Sequence, residues 1–503
     1  MRQGKSPAWL GWWLLALVLT TLAGIGLRLD QIGQRSLWAD ELFTVGIAQF
    51  HPLAPAPGNP WFERKQVLHI TDGDSFLTAK AAEQSPPLND LLEKATLNAL
   101  GTSEWAARLP AAVSACLLLC WAALLAWRER DPWNRRVLTW NLLLLSLYPV
   151  LIYYAKDGRA YSLGASFIGA SLLLWWQRWR DGLSTWTPLG NLEIALWTAA
   201  CYSHYNAAVV VVLIGLIELW TSWRRGSKPG IQRVFTLGLL FLPWVILNVH
   251  TILFTTKGGV AWGNMGWQQR ASLSVEHILM AVQWPWVVIT LGVVAAWRWV
   301  VPNSRSASPF AARAPFWLLP LMSCVFLLIA ALIVAKAGMA HPRYYIFACP
   351  LLALWMAMVL AQIKNTPGQL LAATLVVALS ASTIWTLRSN KNEDFRSMTR
   401  AAVDGAPGET PFLYPWRPNL NMYRVYLELM LGTDPRPRMH SVSSPGDFQQ
   451  TCEALARHER LAIIGHDSGH AVIDGFYRHC GHHWPTRKKW QFDNTFTEHW
   501  VRP

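Results

Sequence analysis

With 503 residues, 52% of them hydrophobic and only 15% charged, the chain is too apolar for a set of soluble domains and reads as a multispanning membrane protein. Its net charge of +14 does not point to nucleic acid, because the basic residues gather in short loops between apolar segments. The 31 tryptophans fit the same class, since indole rings favour the membrane–water interface.

At the N-terminus, Arg2 and Lys5 precede an apolar run from Trp9 to Leu27. It is long for a signal-peptide core and lacks a small-x-small cleavage site, so it is read as a retained first span. At about 20 apolar residues per crossing, eleven spans are predicted near 9–28, 105–127, 137–154, 161–177, 186–203, 206–222, 234–254, 273–296, 316–335, 344–362 and 367–386. With the N-terminus cytoplasmic, the basic loops WRERDPWNRR, QRWRDG, WRRGSKPGIQR, WRWVVPNSRSASPFAARAP and QIKNTPGQ fall inside. The less basic YYAKDGRAY, KAGMAHPRYY and TTKGGVAWGNMGWQQR fall outside. Between Asn191 and Trp220 a nearly continuous apolar stretch is interrupted by CYSHYNA. A single tilted helix there would put Arg224, Arg225 and Lys228 outside, whereas a turn at Ser203–Asn206 keeps them inside. The two-span reading sets His204 and Tyr205 on the same outer face as Asp40.

Two pieces fall outside the bilayer on this topology. In the first, about 30–103, the stretch SPPLNDLLEKATLNALG predicts a helix started by Pro86 and Pro87 and ended by Gly101. Leu88, Leu91, Leu92, Ala95 and Ala99 share one face, which predicts a helix lying along the membrane surface. The second piece alternates apolar runs (PFLY, RLAIIG) with helix-like stretches (NLNMYRVYLELMLG, SPGDFQQTCEALARH) and is read as a small α/β domain. The expected division is a transmembrane domain over 1–386 and an extracytoplasmic domain over 387–503. Cys116, Cys120, Cys201, Cys324 and Cys349 lie in spans as packing residues. Cys452 and Cys480 lie in the tail, where a disulfide and two separate thiols are both open. There is no CxxC or HExxH, and FYRHCGHHW reads as a solvated loop rather than a metal site.

The chemistry-bearing motifs sort to the outer face: WADELF, YYAKDGRAYSL, SHYN and AHPRYYIF, each a short loop against helix ends. Ionisable groups near a bilayer are costly and mark function. The candidates are Asp40, Glu41, Lys156, Asp157, Arg159, Tyr161, His204, Tyr205, His341, Arg343, Tyr344 and Tyr345. Together they would set carboxylates in a cationic surround, which suits a phosphate-bearing substrate from which one proton is removed. Blander roles compete. Asp40 and Glu41 are also good helix-start residues, Lys156 and Arg159 good interfacial cations, and Asp157 a ready partner for Arg159. His204 also reads as a turn residue, and one of Tyr344 and Tyr345 as a belt aromatic.

SLWADELFTV, SPPLNDLLEKATLNALGTSEWAARLPAAV, YYAKDGRAYSLGASF and HPRYYIFACPLLAL, in that order, resemble the polyprenyl-phosphate-sugar-dependent glycosyltransferases of the GT-C superfamily. The branch they look most like holds the bacterial relatives of protein O-mannosyltransferases and lipid A aminoarabinose transferases. The resemblance implies a polytopic α-helical enzyme of the bacterial inner membrane, with a polyprenyl-phosphate sugar donor and a lipid, glycan or protein acceptor. It makes Asp40 the general base, with Glu41 beside it. Asp157 becomes the second acidic position, in one motif with Arg159 and Tyr161, and Arg343, Tyr344 and Tyr345 the segment that meets the lipid phosphate. Relatives carry His or Lys just before the Pro-Pro pair, where this chain has Ser85. That departure leaves a divalent metal open, and no other cofactor is implied. In such an enzyme a carboxylate takes the acceptor proton, worth about 10²–10⁴-fold. Cations (Arg343, with Arg159 or Lys156) stabilise the leaving phosphate, and one direct displacement inverts the sugar. The rivals are a lipid-sugar flippase, which would carry mid-membrane charges or repeated halves, and a non-catalytic assembly subunit.

Overall fold

The structure, a computed structural model, describes residues 8–50, 76, 80, 85–181, 187–226, 228–256, 266–300, 314–337, 341–389, 393–415 and 420–502. Much of the expected first outer loop (51–75) and most of the basic loop before the ninth span (301–313) lie outside the described residues. The chain forms two compact units. The first comprises Met1–Asp30, Gln84–Asn89 and Pro110–Ser389, and the second Gln31–Glu83, Asp90–Leu109 and Asn390–Pro503.

The helices in chain order are α1 (Ala8–Leu29), α2 (Ala39–Phe50), α3 (Leu88–Leu100), α4 (Glu104–Arg128), α5 (Pro132–Leu147) and α6 (Pro149–Tyr154). They continue with α7 (Ala160–Asp181), α8 (Pro188–Ser203), α9 (Tyr205–Arg225) and α10 (Lys228–Thr256). The first unit ends with α11 (Trp267–Val282), α12 (Trp284–Val300), α13 (Ala314–Ala337), a 3₁₀ turn (Pro342–Ala348), α14 (Cys349–Leu360) and α15 (Thr366–Ser389). Among the described residues, seven helices are long and apolar enough to cross a membrane, and the bent pair α11–α12 brings the number to eight if it is counted as one span. Three of the eleven predicted spans are helical without meeting that standard. The stretch 137–154 is broken where Tyr148 adopts an extended ψ before Pro149, as a residue preceding proline does. Helix α7 carries Gln177, Arg178 and Arg180 in its last turns, and α8 has only 16 residues with Glu193 among them. The span predicted over 273–296 bends by 55° at Gln283, which takes a left-handed φ of 52° just before Pro285.

Local chemistry sets the joints. Thr187 caps α8, with Pro188 in its first turn, and His204 both ends α8 and caps α9. Gly226 ends α9 with φ 63°, a conformation that favours glycine. Buried charges join one end of this group: Arg178 binds Glu193 through two hydrogen bonds of 3.0 Å and Glu218 through bonds of 2.9 and 3.1 Å. Arg233 lies 2.8 Å from Glu193. This quartet, one residue from each of α7 to α10, borders a cavity of about 40 Å³ walled by Trp175, Trp197, Ile214 and Leu237. Removing one partner from such a buried pair costs about 3–5 kcal/mol.

In the second unit, α16 (Phe395–Asp404), β1 (Phe412–Pro415), α17 (Leu420–Leu431), β2 (Met439–Val442), α18 (Pro445–Leu455), β3 (Arg460–His466), α19 (His470–Cys480), β4 (Thr486–Phe492) and β5 (Thr495–Val501) follow one another. The sheet order is β2-β1-β3-β5-β4. β1 runs parallel to β2 and β3, and β5 runs antiparallel to β3 and β4. Strand alternation divides the core in two. Leu413, Leu461, Ile463, Phe496 and Trp500 pack with Phe448 and Phe476 of α18 and α19. Phe412, Tyr414, Ala462 and Ile464 pack with Met398 and Tyr423, and that cluster also holds Leu37, Leu42 and Val45 from the start of the chain. The runs PFLY and RLAIIG are thus strands, whereas the β4–β5 hairpin was not foreseen. A disulfide joins Cys452 to Cys480, with Cα atoms 5.9 Å apart. The FYRHCGHHW stretch forms the end of α19 and a following 3₁₀ turn, with Phe476, Cys480 and Trp484 buried.

Helix α3 is turned inside out. It starts just after Pro87 and stops at Gly101, whose φ is 80°. Its polar side (Asn89, Asp90, Glu93) is buried, while Leu91, Leu92 and Leu100 are 40%, 37% and 47% exposed. Asp90 is paired with buried Lys80 at 2.8 Å.

Candidate active site

Three segments distant in sequence meet in the first unit: the turn between α6 and α7, the α8–α9 joint, and the start of the 3₁₀ turn. Arg343 is only 3% exposed. Its guanidinium carbon lies 5.6 Å from the centre of the Tyr161 ring and 5.3 Å from that of Tyr344, and it donates to the Tyr344 hydroxyl at 3.4 Å. Such cation–π pairs contribute about 0.5–2 kcal/mol each, most where water is excluded. The Tyr161 ring stands 5.2 Å from His204 and 5.7 Å from Tyr154. Tyr154 in turn brings its hydroxyl within 3.4 Å of His341 Nδ1. The charges of Arg343 and Asp157 both act on the Tyr154 hydroxyl.

Both histidines cap an element. His204 Nδ1 accepts the Asn206 N–H at 3.0 Å, and His341 Nδ1 accepts the Arg343 N–H at 3.4 Å. A ring nitrogen that accepts carries no proton, so each neutral imidazole keeps its proton on Nε2 as a donor. The Asn206 amide donates to the Tyr344 carbonyl at 2.9 Å and ties α9 to the 3₁₀ turn. Asp157 is 6% exposed, in a turn secured by Asp157 N–H to Tyr154 O at 3.3 Å. The Asn89 amide donates to the carbonyl of the next residue, Gly158, at 3.3 Å.

The other candidates have these surroundings. Lys156 reaches Asp30 at 3.8 Å in a partly exposed pair. Arg159 is half-buried just before α7. Tyr205 donates its hydroxyl to Asn248 at 2.7 Å and receives the Trp244 indole N–H at 3.1 Å. Tyr345 is fully buried in the apolar core. The contacts above gather Asp157, Tyr161, His204, His341, Arg343 and Tyr344, with Tyr154 added. A buried guanidinium walled by aromatic rings and ringed by N–H and O–H donors suits an anionic, oxygen-rich group such as a phosphate.

In the second unit, Asp40 and Glu41 occupy the first turn of α2, where successive side chains diverge by about 100°. Their fates differ accordingly. Glu41 is fully buried and takes both arms of Arg108, Nε to Oε1 at 2.7 Å and Nη2 to Oε2 at 2.6 Å. It also accepts the Trp38 N–H at 3.1 Å. The remaining Arg108 donors go to the carbonyls of Ile32, Arg35 and Ser36 at 2.9–3.0 Å. Asp40 is half-buried. Arg108 lies inside the SEWAARLP stretch, and no local signal singled it out, because its partner stands 67 positions earlier. Among the described residues, no three His, Cys, Asp or Glu side chains come together as metal ligands.

No family model matches the sequence, and no curated protein matches it. Solved structures do. The apo structure of ArnT from Cupriavidus metallidurans superposes with a TM-score of 0.53 at 14% identity over 98% of both chains. The same protein bound to undecaprenyl phosphate matches with a TM-score of 0.49 at 12% identity, again over 98% of each chain. The archaeal oligosaccharyltransferase AglB from Archaeoglobus fulgidus, in complex with an inhibitory peptide and a dolichol-phosphate, gives 0.46 at 13% identity, over 98% of this chain and 74% of its own. The chain therefore shares the overall fold of that apo ArnT structure.

Proposed function

We propose that the chain is a membrane glycosyltransferase that moves a hexose or pentose from a polyprenyl-phosphate donor to an acceptor hydroxyl, with inversion at C1. The observation that carries this reading is the buried Arg343 cluster, drawn from the motifs YYAKDGRAYSL, SHYN and AHPRYYIF. In the reaction the acceptor oxygen forms a bond to C1 as the bond from C1 to the phosphate oxygen breaks. The acceptor proton passes to Asp40, and the polyprenyl phosphate leaves with the electron pair. Asp40 is the base that the resemblance of SLWADELFTV implies, while Glu41, its neighbour, is held by Arg108. Arg343 holds the phosphate as charge builds on it, with Tyr344, His204 and His341 as donors. Asp157 and Tyr161 orient the donor beside it, with Lys156 and Arg159 as outlying cations. Tyr205 and Tyr345 support the scaffold rather than the substrate.

The reading sets eleven spans in a bacterial inner membrane, with the cytoplasmic N-terminus and the extracytoplasmic segment after residue 386 that the loop charges favour. The transmembrane catalytic domain is 1–386, the acceptor is a lipid, glycan or protein, and nucleic acid is no partner. The test uses the purified full chain and a panel of undecaprenyl-phosphate hexose and pentose donors. Asp40→Asn should lower transfer by at least about two orders of magnitude while donor binding persists, the usual share of a general base. A flippase or a scaffold would show no transfer with any donor and no dependence on Asp40. Near-normal turnover in Asp40→Asn would sink the assignment of the base.

A further inference from the structure

The segment 34–41, which runs into the first turn of α2, exchanges hydrogen bonds with the far end of the chain. The Ala39 N–H donates to Glu393 Oε2 at 2.8 Å, and Glu393 Oε1 lies 2.8 Å from His466 Nε2 at the end of β3. The Leu37 N–H donates to the Tyr426 hydroxyl at 2.8 Å, and the Arg396 N–H donates to Ser36 Oγ at 3.1 Å. Arg396 also reaches the Gln34 carbonyl at 2.5 Å and Glu104 at 3.0 Å, and Tyr426 donates to the same Glu104 oxygen at 3.1 Å. All these residues belong to the second unit.

The physical reason for such a staple lies at the helix start. The first four N–H groups of a helix have no partner within it, and an anion there is favoured by the helix dipole. At α2 the Trp38 donor goes to Glu41, three residues on, whereas the Ala39 donor goes to a carboxylate 354 positions away. Asp40 is the next residue along. Whatever fixes the Ala39 peptide fixes the direction in which the Asp40 side chain leaves the helix.

We infer that Glu393, held from behind by His466, is a positioning residue for Asp40, so that the segment after residue 390 sets the aim of the base. The inference rests on the assignment of Asp40 in the proposed reaction. A proton acceptor displaced by about 1 Å loses a large share of its rate advantage, while donor affinity, which does not involve Asp40, stays the same. The amide of Glu393→Gln still accepts from Ala39, and its effect is therefore smaller than that of Glu393→Ala. His466→Gln leaves the bond to Ala39 in place and costs less again.

The experiment combines two readouts on the full-length purified protein. Hydrogen–deuterium exchange at residues 38–42 should speed up at least about tenfold in Glu393→Ala, with the rest of the chain unchanged. With the undecaprenyl-phosphate donor that the wild type turns over, kcat should fall about tenfold in Glu393→Ala, with KM within twofold, and recover to within about threefold in Glu393→Gln. In the double variant Asp40→Asn/Glu393→Ala, kcat should equal that of Asp40→Asn alone, because two residues that act as a unit are not additive. Unchanged exchange in Glu393→Ala would overturn the inference, as would a normal kcat despite faster exchange, or a Gln variant as slow as the Ala variant. Full activity in Asp40→Asn alone would show instead that the base was misassigned, a result visible without any Glu393 variant.

Discussion

Replacing Arg108 with alanine tests the clamp beneath Asp40. The substitution strands a fully buried Glu41 carboxylate and leaves the carbonyls of Ile32, Arg35 and Ser36 without their donors. Breaking a buried pair from one side costs about 3–5 kcal/mol, most of it the desolvation of the charge left behind. For a unit of this size, each kcal/mol shifts the midpoint by about 2–4 °C, so thermal unfolding in detergent should move down by about 6–20 °C. Arg108→Lys keeps a charge but cannot reproduce the two-armed geometry, and should recover less than half of the loss. Neutralising both ends in Arg108→Met/Glu41→Gln removes the stranded charge and should be more stable than Arg108→Ala. The readouts are the Tm of the second unit, followed by its tryptophan fluorescence, and exchange at residues 31–42. An Arg108→Ala protein that melts within about 2 °C of wild type would refute the clamp, whatever its activity.

Arg343→Lys should lower kcat and donor affinity together, because a lysine cannot stack between Tyr161 and Tyr344 or grip a phosphate through two parallel bonds; unchanged kinetics would reduce Arg343 to an interfacial anchor. Reducing the Cys452–Cys480 disulfide reopens a 28-residue separation and should cost about 3.5 kcal/mol by the loop-entropy relation, read as the Tm difference with and without dithiothreitol. His466 has its pKa raised above 6.5, first by its hydrogen bond to Glu393 and then by nearby charges, against the opposing effect of burial. Its pairing therefore stabilises fully below pH 6.5 and is lost as pH rises through the raised value, so His466→Gln should flatten the decline in Tm on the alkaline side of pH 6.5. For topology, Gln450→Cys should react with a membrane-impermeant maleimide on intact cells and Arg130→Cys only after lysis, in a background freed of the exposed Cys120 and Cys324; the opposite pattern would invert the proposed orientation.

What the sequence made legible follows the range of the forces involved. Apolar runs, prolines and glycines act locally, so helix positions, the joint at His204 and the ends of α3 could be read from neighbours in the chain. The break at Tyr148 lies beside Pro149 and that at Gln283 two residues before Pro285, signals present but overridden by the continuity of the apolar run. The expectation that Tyr161, His204 and Arg343 gather came from sorting their short loops to one face by the charge of the connections, since nothing in their spacing requires it. The separate fates of Asp40 and Glu41 could not be read at all. They depend on Arg108, and the start of their helix depends on Glu393, partners with no local mark in the chain. Nor does periodicity say that residues 31–50 share a core with a sheet built from residues after 410.

The charge quartet of α7 to α10 has a consequence for biogenesis. Its pairs run Arg178 to Glu193, Arg178 to Glu218 and Arg233 to Glu193. The first hairpin to leave the ribosome, α7–α8, thus carries its own salt bridge. The second, α9–α10, brings Glu218 and Arg233, which pair with the first hairpin and not with each other. A translocon releasing helices two at a time would hand over a self-neutralised pair first, then a pair whose charges are compensated only on docking. Arg178→Met should accordingly leave α9–α10 exposed to membrane quality-control proteases, whereas truncation after α8 should yield a stable fragment.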